Sequence, residues 1–412
     1  MVSNFINEDR LVESFISLAK INSGSDEIQA ETRIPSTDRQ WDIANYLKDR
    51  LYELELSDIE LSENAILTAF FKGNSECNKT VGLFAHFDTS FEVNNENVCP
   101  ILHDKYSGGN IELQEGTIID ENDLKPYVNQ KIITSDGRTL LGADDKAGVA
   151  EIFEVIKVLK EHPEIKRPNI KIAFTPDEET GSGVQKFDIE NFGADFAYTI
   201  DGDLPNVVEN ESFNAFNPEI EITGKNVHPG YAKSGGMINA LMVAAELIEK
   251  LPKKELAHTT EGHQGYYHVM SVQGDVSNCK INMLVRDHDY KKAQKRIVFL
   301  EKLVAKLQKK YNSEIKFDKK ERYHNMKEGL DKAPEVLEFA KQGISRSGMK
   351  PKTKAIRGGT DGSFLSLKGL PTPNLGAGGL NFHSKCEFLP VSNLIKCTEV
   401  ILNILQVIAE KV

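Results

Sequence analysis

The sequence predicts an α/β fold in which helices flank a mostly parallel central sheet and a smaller α+β domain is inserted into the first. Three observations lead to this class. Short apolar runs alternate with helical patterns in the first half of the chain, which is typical of α/β domains. After about Phe213 the order becomes strand, helix, strand, strand, helix, strand, as in ferredoxin-like domains. The 412 residues also suffice for two or three domains of ~100–200 residues each.

The elements of the first domain follow from hydrophobic periodicity. Amphipathic patterns predict helices over 11–20 and 41–54, and a third over 147–159 places its apolar residues on one face. Short apolar runs predict buried strands, which we assign to the mostly parallel sheet, at 65–71, 80–85, 169–174 and 196–200. Further helices are predicted over 333–345 and 393–410, where the chain returns to complete this domain.

The inserted domain is predicted from the change of pattern in the middle of the chain. Its elements are strand 219–223, helix 237–251, strands 266–272 and 280–285, helix 290–309 and strand 314–318. Domain insertion is common where chain ends lie close together at a surface. We therefore expect residues 1–212 and 326–412 to form the first domain and residues 213–325 to form a ferredoxin-like lid.

Composition excludes several classes of protein and partner. The formal charge of -12 opposes binding to phosphate backbones, so we expect no nucleic-acid partner. No uninterrupted apolar run approaches the ~18 residues of a membrane span, so we expect no membrane partner. The first residues, MVSNFINEDRLVESF, lack the pattern of a secretory signal, and the five scattered cysteines form no CxxC motif. We therefore expect a chain that begins here and stays in the reducing cytoplasm.

Two candidate clusters contain a histidine or paired acids beside a predicted element. His86 and Asp88 follow an apolar strand, and if the chain stays extended they share one face. A carboxylate beside a histidine can fix the tautomer of a metal ligand, although a single strand-end histidine is more often structural. Asp144 and Asp145 precede the predicted helix at 147, where they could either cap it or direct a carboxylate at a cation.

Three more clusters complete the candidate set. Asp177, Glu178 and Glu179 follow a predicted strand, and crowding three acids there is costly unless a cation offsets them. One of these carboxylates could bind metal while its neighbour moves a proton. Asp201 ends another apolar strand, and His383 lies far downstream. Together these nitrogen and oxygen donors suit zinc, cobalt or manganese, and a pair of metals would need one bridging carboxylate.

The sequence resembles the peptidase T family of tripeptide aminopeptidases, within the clan of di-zinc exopeptidases and deacylases. The resemblance covers nearly the whole chain. It rests on the motifs PSTDRQWDIANYL, HFDTS, TLLGADDKAGVAEI, AFTPDEETG, FAYTIDG, NVHPGYAK, TEG, GYYH, VRDHD, IRGGTDGS and NFHSKCEF.

The resemblance implies a role for each candidate residue of the first domain. It implies two zinc ions per chain, with cobalt or manganese as possible substitutes. One zinc would be held by His86 and Asp201 and the other by Glu179 and His383, with Asp144 bridging the two. Asp88 would orient His86, and Glu178 would be the general base that acts on a water activated between the metals.

The resemblance also implies roles for three residues elsewhere. His228 would reach the scissile carbonyl, whereas the dipeptide His228-Pro229 alone indicates only a turn. Arg286 and Arg357 would contact the substrate carboxylate, because arginine can bind a carboxylate through two parallel hydrogen bonds, and surface salt bridges are the alternative for both. Cys386 stands where the family has a histidine.

The implied function is a metal-dependent aminopeptidase that removes the N-terminal residue of a tripeptide. The alternatives are a related di-zinc carboxypeptidase, a dipeptidase or an N-acyl amino acid deacylase, and then a binding protein that has lost activity. The last is disfavoured because all five metal ligands and the base are present. We expect short peptides as the substrates, and a homodimer is possible.

Overall fold

The computed structural model describes residues 2–411, which divide into two compact units. The first contains the described residues up to Asn210, with Met326–Lys354 and the residues from Thr360 onward. The second contains Glu211–Asn325 and Ala355–Gly359. The segment Ala355–Gly359 groups with the second unit, although the prediction leaves it in the first domain. The predicted domain boundaries as such stay a prediction.

The strands are β1 (Ser57–Leu61), β2 (Leu67–Phe71), β3 (Thr80–His86), β4 (Ile101–His103), β5 (Ile111–Glu112), β6 (Ile118–Ile119), β7 (Ile132–Thr134), β8 (Asn169–Thr175), β9 (Phe196–Gly202), β10 (Val207–Glu211), β11 (Asn214–Phe216), β12 (Glu219–Thr223), β13 (Tyr266–Gly274), β14 (Asn278–Asp287), β15 (Ile315–Asp318), β16 (Glu321–Tyr323), β17 (Lys352–Ala355), β18 (Asn374–Gly376) and β19 (Phe388–Pro390).

The α-helices are α1 (Glu8–Ala19), α2 (Arg39–Glu53), α3 (Glu121–Leu124), α4 (Ala143–Glu161), α5 (Ile189–Phe192), α6 (Ala240–Glu249), α7 (Tyr290–Tyr311), α8 (Lys327–Leu330), α9 (Pro334–Arg346), α10 (Asp361–Leu367) and α11 (Val391–Lys411). Short 3-10 helices lie at Val2–Phe5, Gln29–Glu31, Gln114–Gly116, Lys125–Tyr127, Glu178–Thr180, Pro229–Tyr231, Lys253–Glu255 and Ala257–Thr259. Every helix and strand predicted from the sequence is present, with ends that differ by a few residues.

The central sheet of the first unit is mixed rather than mostly parallel. Its strand order is β1-β2-β8-β3-β9-β18-β10-β17. The central strands β8, β3, β9 and β18 are parallel neighbours, whereas β2 pairs antiparallel with β8 and β10 pairs antiparallel with β18. The run predicted at 65–71 is a strand of this sheet, as expected, but it is one of its antiparallel members. The pairing of β1 with β2 is also antiparallel, as the short hairpin between these two strands requires.

The central strands are buried because helices cover both faces of the sheet. Val81 and Leu83 of β3 lie in the larger apolar cluster, which α1, α4, α9 and α11 also supply, while Phe84 lies in a second cluster with residues of α5 and α10. The register pairs His86 with Thr175 at the ends of β3 and β8. The carboxyl ends of β3, β8 and β9 therefore meet at one edge, where open α/β sheets place their ligand sites.

Helix α4 approaches β9 unusually closely. A Cβ atom added at Gly148 would lie 2.2 Å from the carbonyl oxygen of Ile200, so only glycine permits this packing. Asp144 and Asp145 precede the regular part of the helix, since both depart from helical φ and ψ and the peptide bond between them is cis. The close packing brings these two acids to the end of β9, beside Asp201.

The second unit has the strand order of a ferredoxin-like domain. Strands β15, β12, β14 and β13 are antiparallel neighbours in that order, and helices α6 and α7 connect them. Residues of both helices and of these strands form one apolar cluster, which includes Ile220, Leu247, Ile281 and Leu300. The short strands β11 and β16, which the sequence analysis missed, extend this sheet beside β14.

Helix α11 is a core helix of the first unit. Its 21 residues are long and apolar enough to cross a membrane by length and composition, but 78% of its most apolar stretch is buried inside the fold. Residues such as Leu394, Ile401 and Leu405 lie in the same apolar cluster as α4 and the central sheet. Its apolar character is therefore explained by packing.

Candidate metal centre

The carboxyl ends of three parallel strands bring the predicted ligands together. His86 is the last residue of β3, Asp201 is the residue before the last in β9, and Glu179 follows β8 in a 3-10 helix. His383 comes from the segment between β18 and β19, where its φ of 57° places its backbone in the left-handed region. All four side chains converge on the carboxylate of Asp144.

The two oxygens of Asp144 face different histidines. Its Oδ1 lies 2.9 Å from Nε2 of His86, and its Oδ2 lies 3.2 Å from Nε2 of His383. His86 Nε2 is also 3.5 Å from Oδ1 of Asp201, and His383 Nε2 is 2.9 Å from Oε2 of Glu179. The result is two sets of donor atoms that share one carboxylate, the arrangement that a bridging ligand requires.

The donor set fits a pair of divalent cations on chemical grounds. Oε1 of Glu179 is buried and has no hydrogen-bond partner within residues 2–411. Burial and the nearby charge of Asp144 raise the pKa of Glu179 to about 8, and burial raises the pKa of Asp201 to about 6. Metal cations would offset this crowding of carboxylates, and two imidazoles with three carboxylates are ligands that zinc accepts.

Asp88 bonds to two backbone N–H groups in addition to the imidazole that it was predicted to orient. Its Oδ1 lies 3.2 Å from Nδ1 of His86, which leaves Nε2 of that ring to face Asp144. The same carboxylate accepts the backbone N–H groups of Glu178 at 3.0 Å and of Glu179 at 3.3 Å. A single buried side chain therefore fixes one predicted ligand and the backbone of two neighbouring acids.

Glu178 lies beside the donor cluster and outside its ion pairs. Its Oε1 accepts the backbone N–H of Asp361 at 3.2 Å. Burial, followed by the charge of Asp201, raises the pKa of Glu178 well above its usual value. A carboxyl whose pKa lies above its usual range is suited to accept and donate protons near neutral pH.

Asp177, the first of the three consecutive acids, points away from the cluster. Its φ of 50° is left-handed, and its carboxylate accepts hydrogen bonds from Ser36 and from Nε2 of Gln40, the latter at 2.7 Å. Gln40 Oε1 in turn accepts the backbone N–H of Asp177 at 3.0 Å. This network anchors the segment that carries Glu178 and Glu179. Ser36 and Gln40 both lie in the PSTDRQ motif, but neither was predicted from the sequence to have a role.

Glu387 is a third residue whose role was not predicted from the sequence. Its buried carboxylate accepts the backbone N–H groups of Leu141, Gly142 and Asp144 at 2.7, 2.8 and 3.2 Å. It thereby fixes the backbone that presents the bridging carboxylate. The only available signal was an acid four residues after His383, which is too weak to interpret without the structure.

Asp145 resolves the two interpretations of the paired acids. Its Oδ1 accepts the N–H of Gly148 at 3.2 Å, as a helix-capping residue would, and its Oδ2 accepts the N–H of His86 at 3.2 Å. Asp144 makes no capping bond, and the residue before the helix is Gly142, with a φ of 79°. The two acids thus divide the roles, with Asp145 organising backbone and Asp144 facing the histidines.

The remaining predicted residues lie in the second unit. Nδ1 of His228 accepts the N–H of Gly230 at 3.1 Å, so a neutral ring carries its hydrogen on Nε2. Arg286 is 8% exposed and donates to the carbonyl oxygens of Phe216 and Val285. A surface salt bridge was the alternative for Arg286, and it is wrong, because the side chain is buried against backbone carbonyls.

Arg357 holds a loop of the second unit. Its Nη1 donates to the carbonyl oxygens of Gly262 and Gln264 at 2.8 and 2.9 Å, and its Nη2 donates to Oγ1 of Thr260 at 2.9 Å. The guanidinium carbon lies 5.3 Å from the centroids of two aromatic rings, those of Phe213 and Tyr266. These contacts replace the surface salt bridge that was the alternative for Arg357.

Cys386, the departure from the family pattern, is partly exposed and lies near the short strand β6. Its Sγ is 3.3 Å from the carbonyl oxygen of Ile118. Cys386 contacts none of the predicted metal ligands in its hydrogen bonds, since its backbone N–H bonds Oγ of Ser384. The substitution therefore leaves the donor cluster unchanged.

Comparison with known proteins gives consistent matches in sequence and in fold. The model of peptidase family M20/M25/M40 matches residues 122–407. Peptidase T of Geobacillus kaustophilus is 43% identical over 411 residues, which is 98% of this chain and 99% of the relative. A tripeptidase from Staphylococcus aureus superposes with a TM-score of 0.80 at 24% identity, covering 99% of this chain and 100% of the other.

A further solved structure extends the likeness of fold. It is a dinuclear metal-binding peptidase of family M20 from Bacillus subtilis, with a TM-score of 0.66 at 14% identity, covering 98% of this chain and 99% of the other. At these identities the two solved structures show the fold alone. The sequence matches, in contrast, extend over both units and nearly the whole chain.

Proposed function

This chain belongs to peptidase family M20/M25/M40 and, within it, to the peptidase T group, and from that premise we propose how it acts. It is a metal-dependent aminopeptidase that removes the N-terminal residue from tripeptides. We propose His86 and Asp201 as ligands of one metal, Glu179 and His383 as ligands of the other, and Asp144 as the bridge.

One observation carries this proposal: the carboxylate of Asp144 directs one oxygen at each of two histidines, at 2.9 and 3.2 Å. Ligand atoms that share a metal at ~2.0–2.2 Å must themselves lie about 3 Å apart, so these distances suit ligands converging on two ions. A carboxylate that only made salt bridges would have no need of a second histidine and two more carboxylates around it.

When bound, the two metals supply a Lewis acid for the scissile carbonyl and lower the pKa of a water molecule to about 7. We propose that Glu178 takes the proton of the attacking water and then delivers it to the nitrogen of the leaving amine. Asp88 and Asp361 support this role, because the first holds the backbone N–H of Glu178 and the second donates its own backbone N–H to the carboxylate. Both contacts limit the positions that the base can adopt.

The free carboxylate of the peptide is the group we assign to Arg357. Arginine carries five N–H donors, and the bonds to Thr260, Gly262 and Gln264 use three of them. The two others, on Nε and Nη2, form the edge of the guanidinium that binds a carboxylate side-on. For Arg286, burial and two bonds to backbone carbonyls favour a supporting role over direct contact with the peptide.

We further propose zinc as the metal in the cell and the cytoplasm as the compartment. Zinc is supported by the mixture of imidazole and carboxylate donors. A reducing compartment is supported by the free state of Cys77, Cys99, Cys279, Cys386 and Cys397. A homodimer stays a prediction.

A panel of peptides tests the proposal. The protein, loaded with zinc or cobalt, is assayed on dipeptides, tripeptides, tetrapeptides, C-terminally amidated tripeptides and N-acyl amino acids. We expect free tripeptides to be cleaved fastest, with release of the N-terminal residue. Equal cleavage of amidated and free tripeptides would refute carboxylate recognition, and preference for N-acyl amino acids would replace the aminopeptidase with a deacylase.

A further inference from the structure

A second group of potential ligands lies in the second unit, where Glu211, His263 and His288 meet. Glu211 ends β10, His263 lies in the loop before β13, and His288 directly follows β14. Nε2 of His263 is 3.2 Å from Oε2 of Glu211, and Nδ1 of His288 is 3.9 Å from its Oε1. Each residue offers a ligand atom within 4.8 Å of the others.

His288 is the residue that an ordinary ion pair does not explain. Its Nδ1 lies 3.2 Å from the carbonyl oxygen of Ser212, and because a carbonyl can only accept, this nitrogen carries the hydrogen. The 3.9 Å contact of Nδ1 with Glu211 is therefore not a ligand spacing, and Nε2 is the atom that would bind a metal. Its Nε2 then has a lone pair, yet this atom is buried and has no hydrogen-bond partner within residues 2–411. A histidine whose other nitrogen is fixed by a backbone carbonyl is the usual arrangement of a metal ligand.

The surroundings keep the ring of His288 in place. The residue is 8% exposed, and its ring packs 4.3 Å from the ring of Phe213 and 4.6 Å from that of His263, measured between centroids. Burial lowers the pKa of His288, although the nearby Glu211 raises it in part.

We propose that Glu211, His263 and His288 bind one divalent transition-metal ion of the zinc type, as a site additional to the pair in the first unit. Two imidazoles and one carboxylate are a donor set that zinc uses, with a fourth position open to water. Ligand atoms at ~2.0–2.1 Å from a tetrahedral zinc lie about 3.3 Å apart, and the His263 to Glu211 distance of 3.2 Å already meets this spacing.

The site would tie together three segments of the second unit. His263 belongs to the loop 260–265, whose residues Thr260, Gly262 and Gln264 are also the hydrogen-bond partners of Arg357. An ion bound to His263 would therefore restrain the loop that holds the guanidinium of Arg357. The site is a structural one and can adjust how firmly that arginine is held.

Metal counting with Zn²⁺ alone tests the proposal. The full-length protein, loaded with its catalytic metals, is equilibrated with buffered free Zn²⁺, separated from unbound metal and analysed for zinc. We expect wild type to hold one more zinc per chain than His263→Ala and Glu211→Gln. Affinity for this ion should fall at least by the ~10- to 100-fold that loss of even an outer metal partner causes.

Two further variants complete the design. His258→Ala removes another exposed histidine of the same unit and should retain the additional zinc. His288→Ala should lose it, and if that variant does not fold, His263→Ala still decides the matter because its side chain is 66% exposed. Hydrogen exchange in the loop 260–265 should slow when the additional zinc binds to wild type.

Equal zinc content in wild type and His263→Ala would overturn the proposal, as would equal losses in His263→Ala and His258→Ala, which indicate unspecific binding. This comparison does not depend on the metal pair proposed for the first unit. If that pair does not bind, every variant loses the same number of ions, and the difference in zinc content between wild type and His263→Ala is unchanged.

Discussion

The most direct test of the site replaces Glu178 and Glu179 separately by glutamine. In Glu178→Gln the new amide retains an oxygen that can accept the N–H of Asp361, which Glu178 Oε1 now accepts at 3.2 Å. The change also replaces a carboxyl whose ionisation is disfavoured by burial and by the charge of Asp201 with an amide that carries no charge. We therefore expect Glu178→Gln to fold at least as well as wild type and to keep its metals.

The expected loss concerns proton transfer alone. An amide cannot take the proton of a water molecule, and general acid–base groups contribute ~10²- to 10⁴-fold to turnover, which corresponds to about 2.7–5.4 kcal/mol of activation free energy. Glu179 differs, because its Oε2 lies 2.9 Å from His383 Nε2 and its Oε1 is buried without a partner within residues 2–411. Glu179→Gln should therefore lower metal affinity as well as turnover.

The assay combines initial rates on a free tripeptide with elemental analysis and urea unfolding of the same samples. Glu190→Gln, which removes an exposed carboxylate, serves as the matched control and should behave as wild type. The reasoning is refuted if Glu178→Gln loses a metal ion, if it keeps turnover within about tenfold of wild type, or if both variants have the same metal content.

Four further predictions concern metal, fold, pH and catalysis. Exhaustive chelation should abolish turnover, and unchanged turnover in protein shown to be metal-free would contradict the proposed centre. Gln40→Leu should lower the free energy of unfolding in urea by ~2–5 kcal/mol, because it leaves the buried N–H and carboxylate of Asp177 short of partners; a loss under about 1 kcal/mol would mean that the network is unimportant. Burial raises the pKa of the Glu209 carboxyl from 4.5 to about 7, so the folded protein holds this proton more tightly than the unfolded chain does. The resulting stabilisation is complete below the pKa of the unfolded chain and is lost as pH rises through about 7. The free energy of unfolding in urea should therefore fall by up to ~3 kcal/mol over this pH range, and Glu209→Gln should remove that fall. His228→Ala should lower turnover by ~10²- to 10³-fold, the effect of losing one donor to an oxyanion, with unchanged metal content, and a variant that loses metal would instead place this histidine among the ligands.

The parts of the fold that could be predicted are those with long, strongly patterned segments. The strands that became β3, β8 and β9 are apolar on both faces because helices cover the sheet, and such runs are easily recognised in sequence. The short strands β4 to β7 have two or three residues each, too few for any period to emerge. The antiparallel direction of β2 could not be predicted from the hydrophobic pattern either, because the direction of pairing depends on how the strands are connected rather than on their composition.

The contacts of the candidate site likewise divide into local ones, which the sequence predicts, and long-range ones, which it does not. The pairing of His86 with Asp88 followed from the period of a strand, and the structure confirms the contact. The hydrogen bonds of Glu387 join residues separated by 243 to 246 positions, and no local rule connects them. Likewise, Arg357 donates hydrogen bonds to the backbone carbonyls of Gly262 and Gln264, and a backbone carbonyl has no signature in a sequence.

The distance along the chain from Asp201 to His383 and Glu387 has a consequence for how the protein is made. A nascent chain that has emerged as far as Asp201 presents four of the five proposed ligands but lacks His383, and the backbone before Asp144 lacks the carboxylate that fixes it. Helix α11, which fills the core behind these residues, is synthesised later still. Completion of the proposed centre must therefore await synthesis of the whole second unit, and until then the four proposed ligands already made lack the fifth.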